Sequence, residues 1–168
     1  MSKAINTVKD KSQLQSLLSK ISKGKNLLSQ WITLDPIYVG GITKANYLES
    51  IHKQLIESTQ KISVNGHWCE FGVREGRSLK WLIEEYPQQV IHAFDSWQGL
   101  PEEWDNGTGK VADMSCDPPV VPEHIKLHKG WFKDTLPKWK QNNKGPIAFL
   151  HMDADIYSST KEVLTALN

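Results

Sequence analysis

The chain has 168 residues and a formal net charge of +1. That length suits one domain with its own core, and the near-neutral balance argues against broad electrostatic binding to nucleic acid or an anionic membrane. No apolar run approaches the roughly 20 residues of a membrane span, and the N-terminus MSKAINTVKDKSQ lacks a secretory apolar core. Cys69 and Cys116 form no CxxC pair or metal-type spacing, so reduced thiols in a cytoplasmic setting are expected.

In chain order, SQLQSLLSKISKGK sets Leu14, Leu17, Leu18 and Ile21 at helical spacing, with Gly24 as a stop. Pro36 and Gly40-Gly41 mark irregular chain. NYLESIHKQLIEST resumes the helical pattern through Leu48, Ile51, Leu55 and Ile56. GHWCEFGV reads as a strand, SLKWLIEEY as a helix and QQVIHAFD as a second strand. The polar stretch from Ser96 to Glu123, rich in Gly and Pro, is long for a plain connection and reads as a functional loop. HIKLHKG is a third strand, TLPKWKQNN a short helix and PIAFLHMD a fourth strand. In SSTKEVLTALN, Ser159 and Glu162 have capping-box spacing for a last helix. This alternation predicts an α/β fold with a mainly parallel sheet and right-handed crossovers, in which ligands bind beyond the carboxyl ends of the strands.

The chemistry-bearing residues follow strands. CEFGVREGRS places Glu70 at the end of the first, ahead of Gly72 and Gly76, which allow close backbone approach before a helix start. Asp95 ends the second strand, roughly 20 residues on, the distance at which an acid reaches ribose hydroxyls in dinucleotide folds. The glycines do not form GxGxxG. A carboxylate at the head of the turn would repel a pyrophosphate and favour an amino group or a sulfonium. The bland alternative is a flexible turn with a surface acid. In HMDADIYSST, Asp153 and Asp155 lie two apart at the end of the fourth strand, where extended chain points both one way. Such a pair can hold a hard cation or accept a hydroxyl proton; the alternative is a turn cap beside a solvated acid. His92 and His151 alternate with apolar residues and read as satisfied, partly buried histidines, while His67, His124 and His128 show no ligand spacing. Most tryptophans read as packing, with Trp97 and Trp131 set apart because each closely follows a strand end.

Together YVGGITKANYLESI, EFGVREGRS, AFDSWQGLP, GWFKDTLP and FLHMDADIYSSTKEVL resemble, in order and across most of Tyr38 to Leu164, the macrocin O-methyltransferase family. Its members use S-adenosylmethionine to methylate sugars in natural products. The resemblance implies a Rossmann-like class I methyltransferase sheet with helices on both faces. Residues 1–45 would be an N-terminal helical cap and lid, with Tyr38 to Thr43 able to close over the site. Residues 46–168 would bind the cofactor. It further implies that Glu70, Gly72, Gly76 and Ser78 form the cofactor turn near the methionine portion. Asp95 would hold the ribose, Ser96 and Trp97 would lie close to the adenine, and Gly130 and Trp131 beside the base. Asp153 would be a magnesium ligand and Asp155 the general base, with a sugar-like hydroxyl as acceptor. Family members take further metal ligands from an adjacent acidic pair after the next strand. No such pair is present, so the expectation is a C-terminally truncated relative with four strands, an exposed fourth strand and a homodimer along that edge. A non-catalytic relative that binds the cofactor or a partner protein, and a nucleotide-sugar or NAD-type domain, are the competing readings. Nucleic-acid methylation is disfavoured by the lack of a basic stripe or an NPPY-like tetrapeptide.

Overall fold

The computed structural model describes residues 44–104 and 109–168. The expected first helix, the lid segment and nearly all of the 1–45 unit lie outside them. Helix α1 (Lys44–Thr59) leads into β1 (His67–Phe71), α2 (Arg77–Glu85), β2 (Ile91–Asp95), β3 (Ile125–Lys129), α3 (Phe132–Asn142), β4 (Ile147–Met152) and α4 (Tyr157–Leu167). All neighbouring strands run parallel, in the order β3-β2-β1-β4. The chain thus steps outward from β1 to β3 and then returns to the other side of β1, which makes the β1/β4 junction the topological switch point.

Helices cover both faces of the sheet, so its central strands β1 and β2 are buried along nearly their whole length, including the polar Glu70 and His92. Trp68, Ile91, Ala93 and Phe149 pack with Leu79 and Leu82 of α2 and Leu55 of α1. On the opposite face Cys69, Phe71 and Phe94 pack with Leu136 and Trp139 of α3 and with Val163 and Leu167 of α4. The strand and helix pattern read from the sequence is present with the expected order and layering. Helix α3 begins earlier than expected, at Phe132, and carries Pro137 inside it.

Two local expectations are corrected. Ser159 does not cap α4: the residue before the helix is Ile156, in extended conformation, and Ser159 is buried on the inner face. Nor do Asp153 and Asp155 share one extended face. Strand β4 ends at Met152, and Asp155 has φ 55°, so the chain turns between the two acids. Among the described residues β4 pairs with β1 alone. No helix there is long and apolar enough to cross a membrane.

Candidate active site

A cleft of about 730 Å³ opens over the carboxyl ends of the strands. Its floor is made by two turns that touch. Gly72 leaves β1 with φ +85°, and a Cβ there would lie 2.0 Å from the carbonyl oxygen of Asp153. Its N–H donates to Phe94 O at 3.0 Å, and Asp153 N–H donates to Phe71 O at 2.8 Å. Only glycine permits this approach, so the turns after β1 and β4 are held together by backbone alone. Gly76, with φ +80°, opens α2 and offers no side-chain cap, which leaves the first N–H groups of that helix without intrahelical partners.

Asp95 closes the β2 side. Its Oδ2 accepts the N–H groups of Val73 and Arg74, each at 2.8 Å, and its Oδ1 accepts that of Trp97 at 2.7 Å. A carboxylate has about four acceptor positions, so the grip on the loops leaves roughly one, on Oδ1, for a ligand hydroxyl. Arg74 and Trp97 both have positive φ despite their side chains. Trp97 stabilises this arrangement again by donating its indole N–H to Arg74 O at 2.8 Å.

The expected site residues divide by position. Gly72, Ser78, Asp95, Ser96, Gly130, Trp131, Asp153 and Asp155 line the cleft. Gly76 lies within the turn beneath them, and Trp97, 5% exposed, is packed in the core and does not line the cleft. Glu70 is also absent from the lining. Its carboxylate is fully buried, with Oε1 accepting from Ser78 Oγ and, at 3.1 Å, from His151 Nδ1; Oε2 has no partner among the described residues.

The long loop after β2 folds back over the cleft, bringing Leu100 and Met114 to its wall, and Glu102 accepts from Ser158 at 2.5 Å. Sequence reasoning missed Arg74, His151 and Met114. Arg74 was hidden between the two glycines, and His151 looked like an ordinary strand histidine.

The electrostatics are mostly acidic. Partial burial raises the Asp155 carboxyl above its usual range, and the negative charge of Asp153 adds to this while Arg74 opposes it. The residue's exposure to water limits the rise. Burial alone would lower the His151 imidazole; hydrogen bonding and charge from Glu70, with Asp153, outweigh it and raise it. Among the described residues no group of three or more His, Cys, Asp or Glu could hold a metal ion.

The open parallel α/β sheet is a fold shared with a solved methyltransferase. The calicheamicin methyltransferase CalS11 matches with a TM-score of 0.58 and 22% identity, over 99% of this chain and 74% of that one. At that identity the match shows the fold. The family model for macrocin-O-methyltransferase (TylF) matches residues 36–168, and the chain belongs to this family. Two curated proteins are similar to it. Demethyldecarbamoylnovobiocin O-methyltransferase of Streptomyces niveus is 26% identical, over 71% of this chain and 53% of its own length. Mycinamicin III 3''-O-methyltransferase of Micromonospora griseorubida is 24% identical, over 84% of this chain and 74% of its own length. The chain thus spans about half the length of the first and three quarters of the second.

Proposed function

We propose that the chain binds S-adenosylmethionine in the switch-point cleft and belongs to an O-methyltransferase acting on a hydroxyl of a sugar-like small molecule. The observation that carries this reading is the joined Gly72/Asp153 floor, which brings Asp95, Asp153 and Asp155 to one cleft. The cleft fits the proposed donor. Gly72 lets the turns after β1 and β4 meet at the cleft floor, and the carboxylates that line the cleft favour a cation over a pyrophosphate. The O-methyltransferase names of both similar curated proteins support a hydroxyl acceptor.

S-adenosylmethionine, when bound, supplies a methyl group on a sulfonium, already a good leaving group. The chain's own work is alignment, exclusion of water and proton handling. Asp95 and Ser96 hold the nucleoside side, the Gly72–Ser78 turn holds the amino-acid side, and Trp131 lies beside the base. Trp97 serves by anchoring the loop from within the core. Asp155 would take the proton of the acceptor hydroxyl to which the donor's methyl group would be supplied. A carboxyl raised above its usual range is the better base for this step.

Magnesium does not fit the described residues on their own. Asp153 and Asp155 are two exposed carboxylates separated by a turn, and no third ligand joins them. No step is therefore routed through an ion. The same observation favours a second reading, in which this chain binds the donor without transferring its methyl group. Calorimetry with S-adenosylhomocysteine tests the donor site; absence of binding would remove the cofactor reading. Methyl transfer to a panel of glycosides, with and without magnesium, separates the enzyme from the binding-only relative.

A further inference from the structure

Glu70 heads the glycine turn yet does not reach the cleft, and the reason lies in its partners. Its register partner across the β1/β4 junction is His151, whose Nδ1 lies 3.1 Å from Glu70 Oε1. The same oxygen accepts from Ser78, in the first turn of α2. Both partners line the cleft while Glu70 is 0% exposed. The carboxylate thus ties together, from below, one residue on each side of the switch point.

This arrangement fixes the imidazole. A carboxylate cannot donate, so Nδ1 must carry the proton in this contact, and the ring's remaining nitrogen, Nε2, lies on the side away from Glu70. Nε2 has no hydrogen bond among the described residues, and it is not one of the buried unpartnered atoms. His151 therefore brings an unused polar atom to the cleft at the β1/β4 junction, beside the uncapped start of α2. Asp95, Ser96, Gly130 and Trp131 lie at the ends of β2 and β3, on the opposite side of β1. A donor with its nucleoside over that side directs its amino-acid end toward His151.

We propose that His151 contacts the amino-acid end of the bound donor through Nε2, and that Glu70 and Ser78 are positioning residues that hold its ring. The inference rests on the donor reading above and assigns His151 a role that its strand pattern did not reveal. It also explains why an acid occupies a fully buried position at the head of the turn: it acts on the ligand through the histidine.

The test compares two ligands that share the nucleoside. S-adenosylhomocysteine carries the amino-acid end and 5′-methylthioadenosine lacks it. His151→Asn keeps a nitrogen for Glu70 but ends short of the Nε2 position. It should weaken S-adenosylhomocysteine by about tenfold, the loss of one hydrogen bond to a charged group, while 5′-methylthioadenosine binding changes by less than about twofold. Retained binding of the smaller ligand also shows that the variant is folded. Equal weakening of both ligands, or of neither, overturns the inference while wild-type binding leaves the donor reading standing. Wild type that binds neither ligand overturns both. Nitrogen-15 NMR of the wild type supplies the readout of the ring. A proton on Nδ1 is expected without ligand, with an Nε2 shift on adding S-adenosylhomocysteine and none on adding 5′-methylthioadenosine. An Nδ1 without a proton refutes the positioning role of Glu70.

Discussion

Asp95→Ala separates a carboxylate reserved for ligand from one that also builds its own site. Three backbone N–H groups converge on it, and their surroundings differ. Val73 and Trp97 are 4% and 5% exposed, whereas Arg74 is exposed and its N–H can turn to water. Alanine leaves two buried donors unpaired, at about 1–3 kcal/mol each, so the expected loss is about 2–6 kcal/mol. That is a large share of the roughly 5–15 kcal/mol that stabilises a typical domain. At about 2–4 °C per kcal/mol for a chain of this size, the midpoint should fall by at least about 4 °C. Asp95→Asn keeps one acceptor oxygen, so it should lose less, with Val73 and Arg74 or else Trp97 still held. The assay is urea denaturation of the ligand-free protein, paired with calorimetry for S-adenosylhomocysteine. Both stability and affinity should fall in the alanine variant. Lost affinity with stability within about 0.5 kcal/mol of wild type would refute the loop-holding role, since that is the range of ordinary surface substitutions.

Gly72→Ala should destabilise by more than about 2 kcal/mol in the same denaturation assay, because its Cβ would meet Asp153 O at 2.0 Å in a left-handed conformation. Gly145→Ala is the control: φ is +113° but nothing lies within 4 Å, so only backbone strain of about 1–2 kcal/mol is expected. The stability contributed by His92 should also fall on acidification. Burial, reinforced by the nearby His128, lowers the His92 imidazole to about 4, and burial lowers His128 as well. Between about pH 6.5 and 4 the unfolded chain therefore binds a proton at His92 that the folded chain refuses. The contribution of His92 is fully present above that window and decreases through it by up to about 3 kcal/mol, against the opposite pull of the raised His151 and Asp155; urea titrations from pH 7 to 4 in which His92→Gln has the same profile as wild type would contradict this. Asp155→Asn should reduce methyl transfer by about 100-fold or more while leaving S-adenosylhomocysteine affinity within about threefold, checked by single-turnover assay and calorimetry.

The sheet was legible because its central strands are short, mainly apolar runs, as at Trp68–Phe71 and Ile91–Phe94, set off by glycine and proline. Strand ends then pointed to Gly72, Asp95 and Asp153, all of which the fold brings to one cleft. Other features depended on contacts between distant segments, which spacing cannot express. Trp97 follows a strand end, yet its ring turns into the core because its N–H groups find Asp95 and Arg74. Ser159 has the spacing of a cap, but the helix starts earlier, at Tyr157, and Ser159 is buried along with Val163 and Leu167, which pack on the sheet. His151 is one alternation away from an ordinary core position; its partner Glu70 lies 81 residues earlier in the chain.

Three acids that look alike in the sequence, each at or just past a strand end, hold different positions because their neighbours differ. Glu70 is enclosed and bonded to Ser78 and His151, so its charge reaches the cleft through them. Asp95 lines the cleft but is mostly engaged by backbone N–H groups, so it shapes the loops as much as it offers an acceptor. Asp155 has turned out of the strand into an exposed left-handed conformation, next to a second carboxylate. This last setting raises the carboxyl and leaves it exposed at the cleft. Under the proposed function, proton transfer would fall to Asp155 among the three, since a base must reach the proton before its strength matters. The other two hold the floor and wall against which a donor would be aligned.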